Sequence, residues 1–518
     1  MQATALTLGL VGVDAHLVSV EVDSGRGPSA FHLVGLAEAA VREARVRVRA
    51  ALKQLEVELD EHVITVSMSP ADVRKTGSAF DVALALGILG ALDRVDPANL
   101  AGVVLLGELG LGGQLRPVRG VLPALATARR LGVTRAIVPV DNEAEASAVT
   151  GVDVLVASTL EDVVLGLRGE RALRPAKMPG ASGGGAGCFA VDLAEIRGQH
   201  GARRALEIAA AGGHNLLMMG PPGAGKTMLA RRLPTILPLM TQEEALEVTA
   251  IHSVAGLLGA GAGLLADRPF RAPHHTVSVA GLVGGGSPVR PGEVSLAHCG
   301  CLFLDELLEF GRATVEALRQ PLEDGVIAVS RARERAVFPA RPLVVAALNP
   351  CPCGYAGTLR CTCPPDRVRS YRQRLSGPLL DRIDLQIALP PVEIADLSFA
   401  AATGEPSAVV RERVVQARAA QAARASSGEV GARLNATLGA ADLARVASPD
   451  AAAERVLRTA AEALGLSARA FGKVLRVART LADLEGATGV GAPHVAEALH
   501  LRLLDRVRAP VAQSATVG

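Results

Sequence analysis

A glycine-rich octapeptide near the middle of the chain constrains the fold more than any other feature. It consists of Gly220, Pro221, Pro222, Gly223, Ala224, Gly225, Lys226 and Thr227, and it matches G-x-x-x-x-G-K-[ST]. In such a loop the backbone N–H groups turn inward around phosphate oxygens, and the lysine reaches the terminal phosphates. An apolar run, 215–219, precedes the loop, and a stretch able to form a helix, 228–233, follows it. The segment therefore predicts a buried parallel strand, a phosphate loop and a helix in an α/β nucleotide-binding domain.

The use of lysine in this chain supports that interpretation. Only five of the 54 Lys and Arg residues are lysines, and one of them is Lys226. This is the position at which a compact ammonium group is needed to contact phosphate. Because 55 of the 518 residues are glycine, a chance glycine loop is the alternative, and the lysine makes it the weaker one.

A second apolar run ends in two adjacent acidic residues, Asp305 and Glu306. Ligands of α/β sheets bind at the carboxyl ends of the strands, so we expect both side chains at the phosphate loop. We predict that Asp305 and Thr227 hold Mg²⁺ and that Glu306 is the general base for the attacking water. A surface strand end is the alternative. A third buried strand, 343–348, ends at Asn349, which we expect to orient the γ-phosphate or that water.

Composition restricts the class of protein. A chain of 518 residues with 49% hydrophobic and 20% charged residues predicts about three domains with ample core. No apolar run reaches the roughly 18–20 residues that a membrane span needs, and the start of the chain lacks a charged signal-peptide region, so we expect a cytoplasmic protein without a membrane partner. A net charge of +2 and 2% aromatic residues mean that any DNA contact depends on local arginines rather than on base stacking.

The pattern of elements divides the chain into four parts. Residues 1–170 mix strand and helix signals, and residues 171–188 are rich in Gly and Pro and predict a linker. Residues 189–390 contain the nucleotide-binding motifs, and residues 391–518 are rich in Ala and Arg and predict a helical lid over the nucleotide site. The expected helices of this last part are 408–425, 451–464, 468–484 and 493–504.

Two segments between the motifs have no role in nucleotide binding. A Gly-, Pro- and His-rich stretch that includes His274 and His275 predicts a mobile loop, which we favour over a metal site because no spaced ligand accompanies the two histidines. Further on, two strand-like runs flank Arg331, Arg333 and Arg335 and predict a hairpin. For these arginines a solvated turn and a grip on a phosphate backbone are equal alternatives. The two histidines and three arginines are the candidate DNA contacts.

Four of the seven cysteines lie close together, as Cys351, Cys353, Cys361 and Cys363. The spacing C-x-C…x₇…C-x-C in a chain expected to be cytosolic favours a metal over disulfides. Four thiolates around one ion favour zinc, although C-x-C is tighter than the usual C-x-x-C. The sequence therefore predicts a structural Zn²⁺ site directly after Asn349.

The first 170 residues resemble the Lon-protease-like fold, chiefly in 75–81 and 107–120. Proteolysis in that family uses a Ser–Lys dyad, in which the lysine activates the nucleophile. The serine position falls on Ala79 and the lysine position on Ala124. The resemblance thus implies a proteolytically inactive domain.

Taken in order, these pieces resemble the YifB/ComM family of magnesium-chelatase-like AAA+ ATPases. The most specific stretches are 273–276, 284–286, 291–298, 318–323 and 349–354. The resemblance implies an α/β multidomain protein with a Lon-like α+β N-terminal domain, an AAA+ P-loop core and a C-terminal helical lid. It also implies a homo-hexameric ring that binds ATP and Mg²⁺.

Two arginines acquire roles only through this resemblance. Arg382 matches the arginine finger supplied to a neighbouring subunit, and Arg469 matches the sensor-2 arginine, so both would stabilise charge on the transferred phosphoryl group. Spacing alone is equally consistent with an ordinary ion pair between Arg382 and Asp381 or Asp384.

The resemblance implies a DNA branch-migration helicase or translocase, acting on single-stranded or branched DNA during natural transformation. Composition and spacing by themselves indicate an ATPase with candidate basic loops. A magnesium-chelatase motor subunit acting on a protein partner is the second hypothesis. An ATP-dependent protease is the third, and Ala79 and Ala124 disfavour it.

Overall fold

Two separate β-sheets and a set of packed helices make up the fold. The computed structural model describes residues 2–34, 39–71, 75, 77–177, 191–259, 261–331, 334–391 and 404–504. Within these ranges no helix combines the length and the apolar character that crossing a membrane requires.

The N-terminal part is built on a mixed sheet of eight strands in the order β10-β9-β8-β5-β1-β2-β4-β3. Its strands are β1 Gln2–Val11, β2 Asp14–Arg26, β3 Ala30–Val34, β4 His62–Ser69, β5 Val103–Leu105, β8 Arg135–Pro139, β9 Asp153–Ala157 and β10 Arg174–Pro175, and a separate small pair is formed by β6 Glu108–Leu109 and β7 Leu115–Arg116. Its helices are α1 Ala39–Gln54, α2 Asp81–Ala91, α3 Val121–Arg130, α4 Glu143–Ala146 and α5 Leu160–Leu167.

The buried helix α2 organises the core of this N-terminal part. All eleven of its residues are buried, and they pack with alternate residues of β1, β2 and β4. Its first residue, Asp81, is fully buried and forms an ion pair with Arg47 of α1 at 2.7 Å. The Arg47 guanidinium therefore contributes to the internal structure of this part.

The predicted linker begins too early. Residues 174–175 form strand β10, which pairs with β9, and the Arg174 guanidinium binds the Glu143 carboxylate. A two-residue strand is too short to show a periodicity in the sequence. The prolines nearby favoured a linker instead. Of the predicted linker, residues 178–188 lie outside the described residues.

The central part contains five parallel strands in the order β12-β13-β16-β11-β17. The strands of this part are β11 Leu216–Met219, β12 Phe270–Arg271, β13 Cys301–Leu304, β14 Val326–Arg331, β15 Glu334–Pro339, β16 Leu343–Leu348 and β17 Leu385–Ala388. Its helices are α6 His200–Gly212, α7 Lys226–Ile236, α8 Gln242–Ala255, α9 Val279–Val283, α10 Glu293–Leu296, α11 Arg312–Glu316, α12 Arg319–Asp324, α13 Pro365–Gln373 and α14 Gly377–Leu380.

Strands β13 and β16 are buried at every position. Parallel sheets are covered by helices on both faces, so their strands are continuously apolar rather than alternating. The apolar side chains of these strands divide between two clusters, one shared with α6 and α7 and the other with the segments around α11 and α13. The predicted strand 343–348 is confirmed at both ends.

The stretch predicted as a mobile loop is more ordered than expected. It contains β12, which pairs with β13, and the short helix α9, which Ser278 caps by accepting a hydrogen bond from Gly281 N–H. The prediction failed because a two-residue strand and a five-residue helix are too short to show a period.

The predicted arginine hairpin is confirmed as β14 and β15, which pair from Val326 with Pro339 to Arg331 with Glu334. Arg335 is exposed, and Arg333 lies outside the described residues. On the other face, Ala336 and Phe338 are buried in a small cluster with Val289 of the central part and with Val11 and Val13 from the β1–β2 turn. The hairpin is therefore held against the N-terminal part.

The last part is helical, as predicted, over the residues that the structure describes. Its helices are α15 Ser407–Ser426, α16 Ala440–Val446, α17 Ala451–Leu464, α18 Ala468–Leu484 and α19 Ala492–His500. The last predicted helix, 493–504, ends earlier, since Leu501 is its C-cap. Residues of α15, α17, α18 and α19 share one apolar cluster with α6, α7 and β11, so the helical part and the phosphate-loop domain have a common core.

A buried ion pair crosses this common core. Lys473 Nζ of α18 lies 2.8 Å from Asp384 Oδ1, and each side chain is only 9% exposed. His214 Nδ1 lies 3.3 Å from the other oxygen of Asp384. Burial acts to raise the pKa of Asp384, but Lys473 and His214 outweigh it and hold the pKa below its usual range. Stability from this pair is present above the unfolded pKa of Asp and is lost as the pH falls through the depressed value.

Candidate functional site

The phosphate loop leaves β11 at Gly220 and enters α7 at Lys226. Gly225 precedes the helix with φ of +85°, a left-handed conformation that a β-carbon disfavours. The Lys226 ammonium donates to Gly220 O at 2.7 Å, to Pro221 O at 3.0 Å and to Asn349 Oδ1 at 3.0 Å. Burial lowers the pKa of Lys226, and the nearby Asp305 and Glu306 oppose this shift. The ammonium group is thus directed at the mouth of the loop.

The acidic pair follows β13 and lies beside this loop. Thr227 Oγ1 donates to Asp305 Oδ2 at 2.8 Å, and Glu306 N–H donates to Asp305 Oδ1 at 3.0 Å. Two oxygen ligands from the phosphate loop and from the adjacent strand are the arrangement that holds Mg²⁺ against a nucleotide phosphate. Thr227 and Asp305 are therefore the residues that would hold the ion, whose chemistry is to neutralise charge on the phosphate oxygens.

Glu306 has a strained backbone, with φ of +51°. A non-glycine residue in the left-handed region costs on the order of 1 kcal/mol. The strain turns the chain sharply after Asp305, and the Glu306 side chain is 53% exposed at the open edge of the sheet. This is where a general base can reach a water molecule.

Three neighbouring strands bring the predicted hydrolytic residues together. Strand β16 lies between β13 and β11, so Asn349, Asp305 and the phosphate loop all emerge at one edge. The direct contacts of Lys226 with Asn349 and of Thr227 with Asp305 join these elements. The structure thus brings together all five candidates from Lys226 to Asn349.

Sequence reasoning missed a contact at Glu306. His275 Nδ1 lies 3.7 Å from Glu306 Oε2, although the two residues are distant in sequence. Strand β12 is paired with β13, so the residues that follow β12 reach the same sheet edge as Glu306. The apolar Pro-Phe preceding Arg271 was the only local signal for this strand. That His274 and His275 contact DNA stays a prediction.

The two arginines implied by the family resemblance have partners on their own chain. The Arg382 guanidinium binds the Glu323 carboxylate and donates to Arg319 O at 3.0 Å and to Pro378 O at 2.6 Å. Arg469 is exposed at the start of α18, and its charge also acts on Glu323. Both arginines therefore flank one exposed carboxylate, and their action on a neighbouring subunit stays a prediction.

The cysteine cluster lies against the phosphate loop. Cys351 and Cys353 follow Asn349, and a β-carbon on Gly354, whose φ is +86°, would lie 2.5 Å from Pro222 Cδ. The sulfur atoms of the four cysteines all lie within 4.8 Å of one another. Backbone N–H groups of Tyr355 and Thr362 are the leading causes that lower the pKa of Cys353 to about 6.

The sulfur positions fit a tetrahedral metal site. Cys351 Sγ lies 3.3 Å from Cys353 Sγ and 3.8 Å from Cys361 Sγ, and the latter two sulfurs are 3.8 Å apart. With Zn–S bonds of about 2.3 Å, the edge of a ZnS₄ tetrahedron is about 3.8 Å. Cys351, Cys353, Cys361 and Cys363 are therefore a suitable ligand set for zinc.

A second group of potential ligands, Glu247, His298 and Cys299, is explained without a metal. His298 Nδ1 accepts from Arg341 N–H at 3.1 Å, so its Nε2–H is the donor to Glu247 at 2.8 Å. Burial raises the pKa of the Cys299 thiol to about 12. These residues therefore join α8 to the segment that precedes β16 as a structural network.

Comparison with known proteins agrees with this architecture. The family described as magnesium chelatase, subunit ChlI, matches residues 192–397, and further ChlI family segments match residues 20–142 and 404–502. Competence protein ComM of Haemophilus influenzae is 44% identical over 96% of this chain and 96% of its own length. Protein YifB of Escherichia coli is 40% identical over 97% of both chains, and an uncharacterized protein of Mycobacterium tuberculosis is 46% identical over 96% of this chain and 98% of its own.

The chain belongs to the YifB/ComM family of magnesium-chelatase-like proteins. It is an AAA+ protein, and family membership together with the contacts of the phosphate loop identifies it as an ATPase that uses ATP and Mg²⁺. Lon protease 2 of Bacillus subtilis is similar at a lower level, with 22% identity over 161 residues and 28% of this chain.

We expect Glu306→Gln to keep the affinity for ATP and to lower turnover by at least about 100-fold, because the variant loses its general base. Fluorescent-nucleotide binding and phosphate release would measure the two effects separately. Glu309→Gln is the matched control, since Glu309 follows closely and accepts from the Tyr371 hydroxyl instead. Normal turnover in Glu306→Gln, or an equal loss in the control, would contradict the assignment.

Proposed function

We propose that this ATPase is a ring-shaped motor that acts on DNA, as a branch-migration helicase or translocase in recombination during natural transformation. The observation that carries the proposal is 44% identity over 96% of this chain to a protein named for competence, combined with an ATP site in which Lys226 contacts Asn349 and Thr227 contacts Asp305.

The arginine hairpin is the first element that supports DNA as the substrate. Its exposed Arg335 lies on the strand face opposite to the buried Phe338 cluster. Arginines at the end of a hairpin can bind successive backbone phosphates without reading the bases, which suits a translocase. Because the hairpin leads directly into β16 and Asn349, a force on the hairpin acts next to the γ-phosphate position.

A ring is the assembly that gives Arg382 and Arg469 a function. In their own chain both lie at Glu323, which is exposed enough to exchange its partner. In a homo-hexamer, Arg382 would leave Glu323 and supply positive charge to the phosphoryl group held by the neighbour's Lys226, and Arg469 would act on the transferring group from the helical lid. Hydrolysis would then require a correctly docked neighbour.

A structural zinc ion is part of the proposal. Cys351, Cys353, Cys361 and Cys363 would hold it, and its contribution is to cross-link the segment that follows Asn349. Gly354 packs against Pro222, so an ordered cysteine segment supports the phosphate loop from outside.

A magnesium-chelatase motor subunit acting on a protein partner is the second candidate, favoured by the printed description of the matching family. The cysteine cluster does not belong to that pattern, whereas residues 20–142 also match a segment described as subunit ChlI. An ATP-dependent protease is a weaker candidate, because Ala79 and Ala124 stand where a Ser–Lys dyad would be.

The DNA assignment predicts that single-stranded or branched DNA raises the ATPase rate above the rate without DNA. The rate would be measured with no DNA, single strands, duplex and a branched junction at several salt concentrations, and the apparent affinity for DNA should fall as salt rises. Replacing Arg331, Arg333 and Arg335 with Ala should abolish the response, whereas replacing the exposed Arg433, Arg455 and Arg458 should not. Stimulation by a protein partner but by no DNA would favour the chelatase-type motor.

The ring assignment predicts complementation between two inactive variants. Arg382→Ala and Lys226→Ala should each lose ATP turnover, but their mixture should regain part of it. At some mixed interfaces an intact Lys226 would face an intact Arg382 from the neighbour. Phosphate release from mixtures of varied ratio checks this, and mass photometry with nucleotide reports the number of subunits. Failure to complement, or a protein that stays monomeric with ATP, would contradict the ring.

The metal assignment predicts about one zinc ion per chain in reduced, purified protein. Inductively coupled plasma mass spectrometry would measure this ratio. Cys353→Ser should lose the ion, because a hydroxyl is a poor replacement for a thiolate ligand. Cys299→Ser is the control, since Cys299 is not one of the four clustered cysteines. A folded wild-type sample without metal would remove zinc from the proposal.

A further inference from the structure

Segment 359–374, which contains two of the clustered cysteines and helix α13, carries a strong positive charge. It has five arginines and a single acidic residue, Asp366. Four of the arginines are exposed, namely Arg360, Arg367, Arg369 and Arg374. Asp366 offsets little of this charge, because it lies 3.8 Å from Arg369 and both side chains are largely exposed. The segment therefore presents a basic surface to solvent.

The exposed guanidinium groups are available to an external ligand. Among the residues that the structure describes, the side chains of Arg360 and Arg367 take part in no hydrogen bond or ion pair. The Arg374 guanidinium lies over the Tyr371 ring, 5.6 Å from its centre, and this contact with the ring face leaves its N–H groups available. These charges can therefore bind an anion without breaking a hydrogen bond within the chain.

The inner side of α13 fixes this surface on the ATPase domain. Tyr371 is buried in the apolar cluster that also contains Leu307, which follows β13. Arg372, the fifth arginine, is half-buried, and its Nε donates to Pro350 O at 3.1 Å. Since Pro350 adjoins Asn349, the basic surface is attached directly beside the ATP site.

The side chains of this surface favour nucleic acid over a protein as its partner. Protein–protein interfaces have an apolar centre, whereas protein–DNA interfaces are more polar and much more positively charged. In segment 359–374 Leu359 is the one large apolar side chain that is exposed, and it stands among four exposed arginines. A second copy of the chain would find little apolar area to bury here.

We propose that the exposed arginines of segment 359–374 form a second contact with the phosphate backbone of DNA, in addition to the arginine hairpin. Such contacts hold DNA without reading its bases, as an enzyme that moves along DNA requires. The two surfaces are distinct, because the hairpin leads into the start of β16 and segment 359–374 follows its end. The inference rests on the proposed function, since it takes DNA as the substrate.

Three double variants test the charge of α13. Arg367→Gln with Arg369→Gln removes two charges and keeps long side chains that suit a helix. Arg367→Lys with Arg369→Lys keeps both charges as ammonium groups, which can still bind phosphate. Arg455→Gln with Arg458→Gln is the matched control, because these two arginines are also exposed and also lie on one helix, α17.

The experiment measures binding of a labelled oligothymidine strand and of a labelled branched junction by fluorescence anisotropy. The full chain is used with an ATP analogue that is not hydrolysed, over a range of salt concentrations. Each phosphate contact on a single strand contributes about 0.7 to the slope of log K against log salt, so the glutamine pair should lower that slope by about 1.4. Its affinity at about 0.1 M salt should fall at least about tenfold. The lysine pair and the control pair should stay within about threefold of wild type.

Several results would overturn the inference. Wild-type affinity and salt slope in the glutamine pair would refute the contact and leave the proposed function intact. An equal loss in the control pair would show a general effect of charge, and an equal loss in the lysine pair would show that arginine packing is responsible. Fewer subunits in the glutamine pair, counted by mass photometry without DNA, would show that α13 contacts a second copy.

Two further observations keep the test decisive. If the glutamine pair melts at a lower temperature than wild type, Arg367→Gln alone decides, with an expected loss of about 0.7 in the salt slope. A wild-type protein that binds neither DNA would refute the proposed function itself, and this inference with it.

Discussion

The parallel ladder formed by β13, β16 and β11 is the constraint on which the nucleotide site depends. Leu304 is paired with Ala346, and Met219 is paired with Leu348, so the three strands end at one edge of the sheet. A slip of one residue between β11 and β16 would move Asn349 by about 3.3 Å relative to the phosphate loop. That shift would break the 3.0 Å bond between Asn349 and Lys226. The catalytic geometry is therefore set by backbone pairing and by the burial of all six residues of β16.

Among the described residues, the elements that surround this edge contact the N-terminal part through both apolar and polar groups. The apolar contact is the cluster of Val11, Val289 and Phe338, which joins the β1–β2 turn, the segment between β12 and α10 and the arginine hairpin. The second contact is polar and buried, since Ser253 of α8 accepts from Gly120 N–H at 2.9 Å and donates to the Glu145 carboxylate. Because buried polar groups are costly to leave unpaired, this second contact holds α8 firmly on α3. The arginine hairpin and helix α8 therefore both pack against the N-terminal part.

Sequence reasoning succeeded where chemistry is encoded locally. The loop from Gly220 to Thr227 and the helices 451–464 and 468–484 have signals that lie within a few residues of one another. It failed where the deciding partner is distant in sequence: strand β10 depends on β9, and the contact of His275 with Glu306 depends on the pairing of β12 with β13. Arg382 illustrates the same limit, because neither Asp381 nor Asp384 but Glu323 is its acidic partner. Residues adjacent in sequence therefore predict the helix or strand to which a residue belongs. Its contacts with distant residues become known only when the strands are paired in the sheet.

Ala124, the position on which the resemblance to Lon-like proteases places the catalytic lysine, has a packing role in helix α3. Ala124 of this helix is buried in an apolar cluster against which Leu246 and Ala250 of α8 also pack. A lysine at position 124 would have to bury its ammonium group in that cluster, and a buried unpaired charge is strongly unfavourable. Alanine instead allows α3 to lie close to α8, beside the Ser253–Glu145 contact. Helix α3 therefore serves as the surface that anchors α8 of the ATPase domain on the N-terminal part.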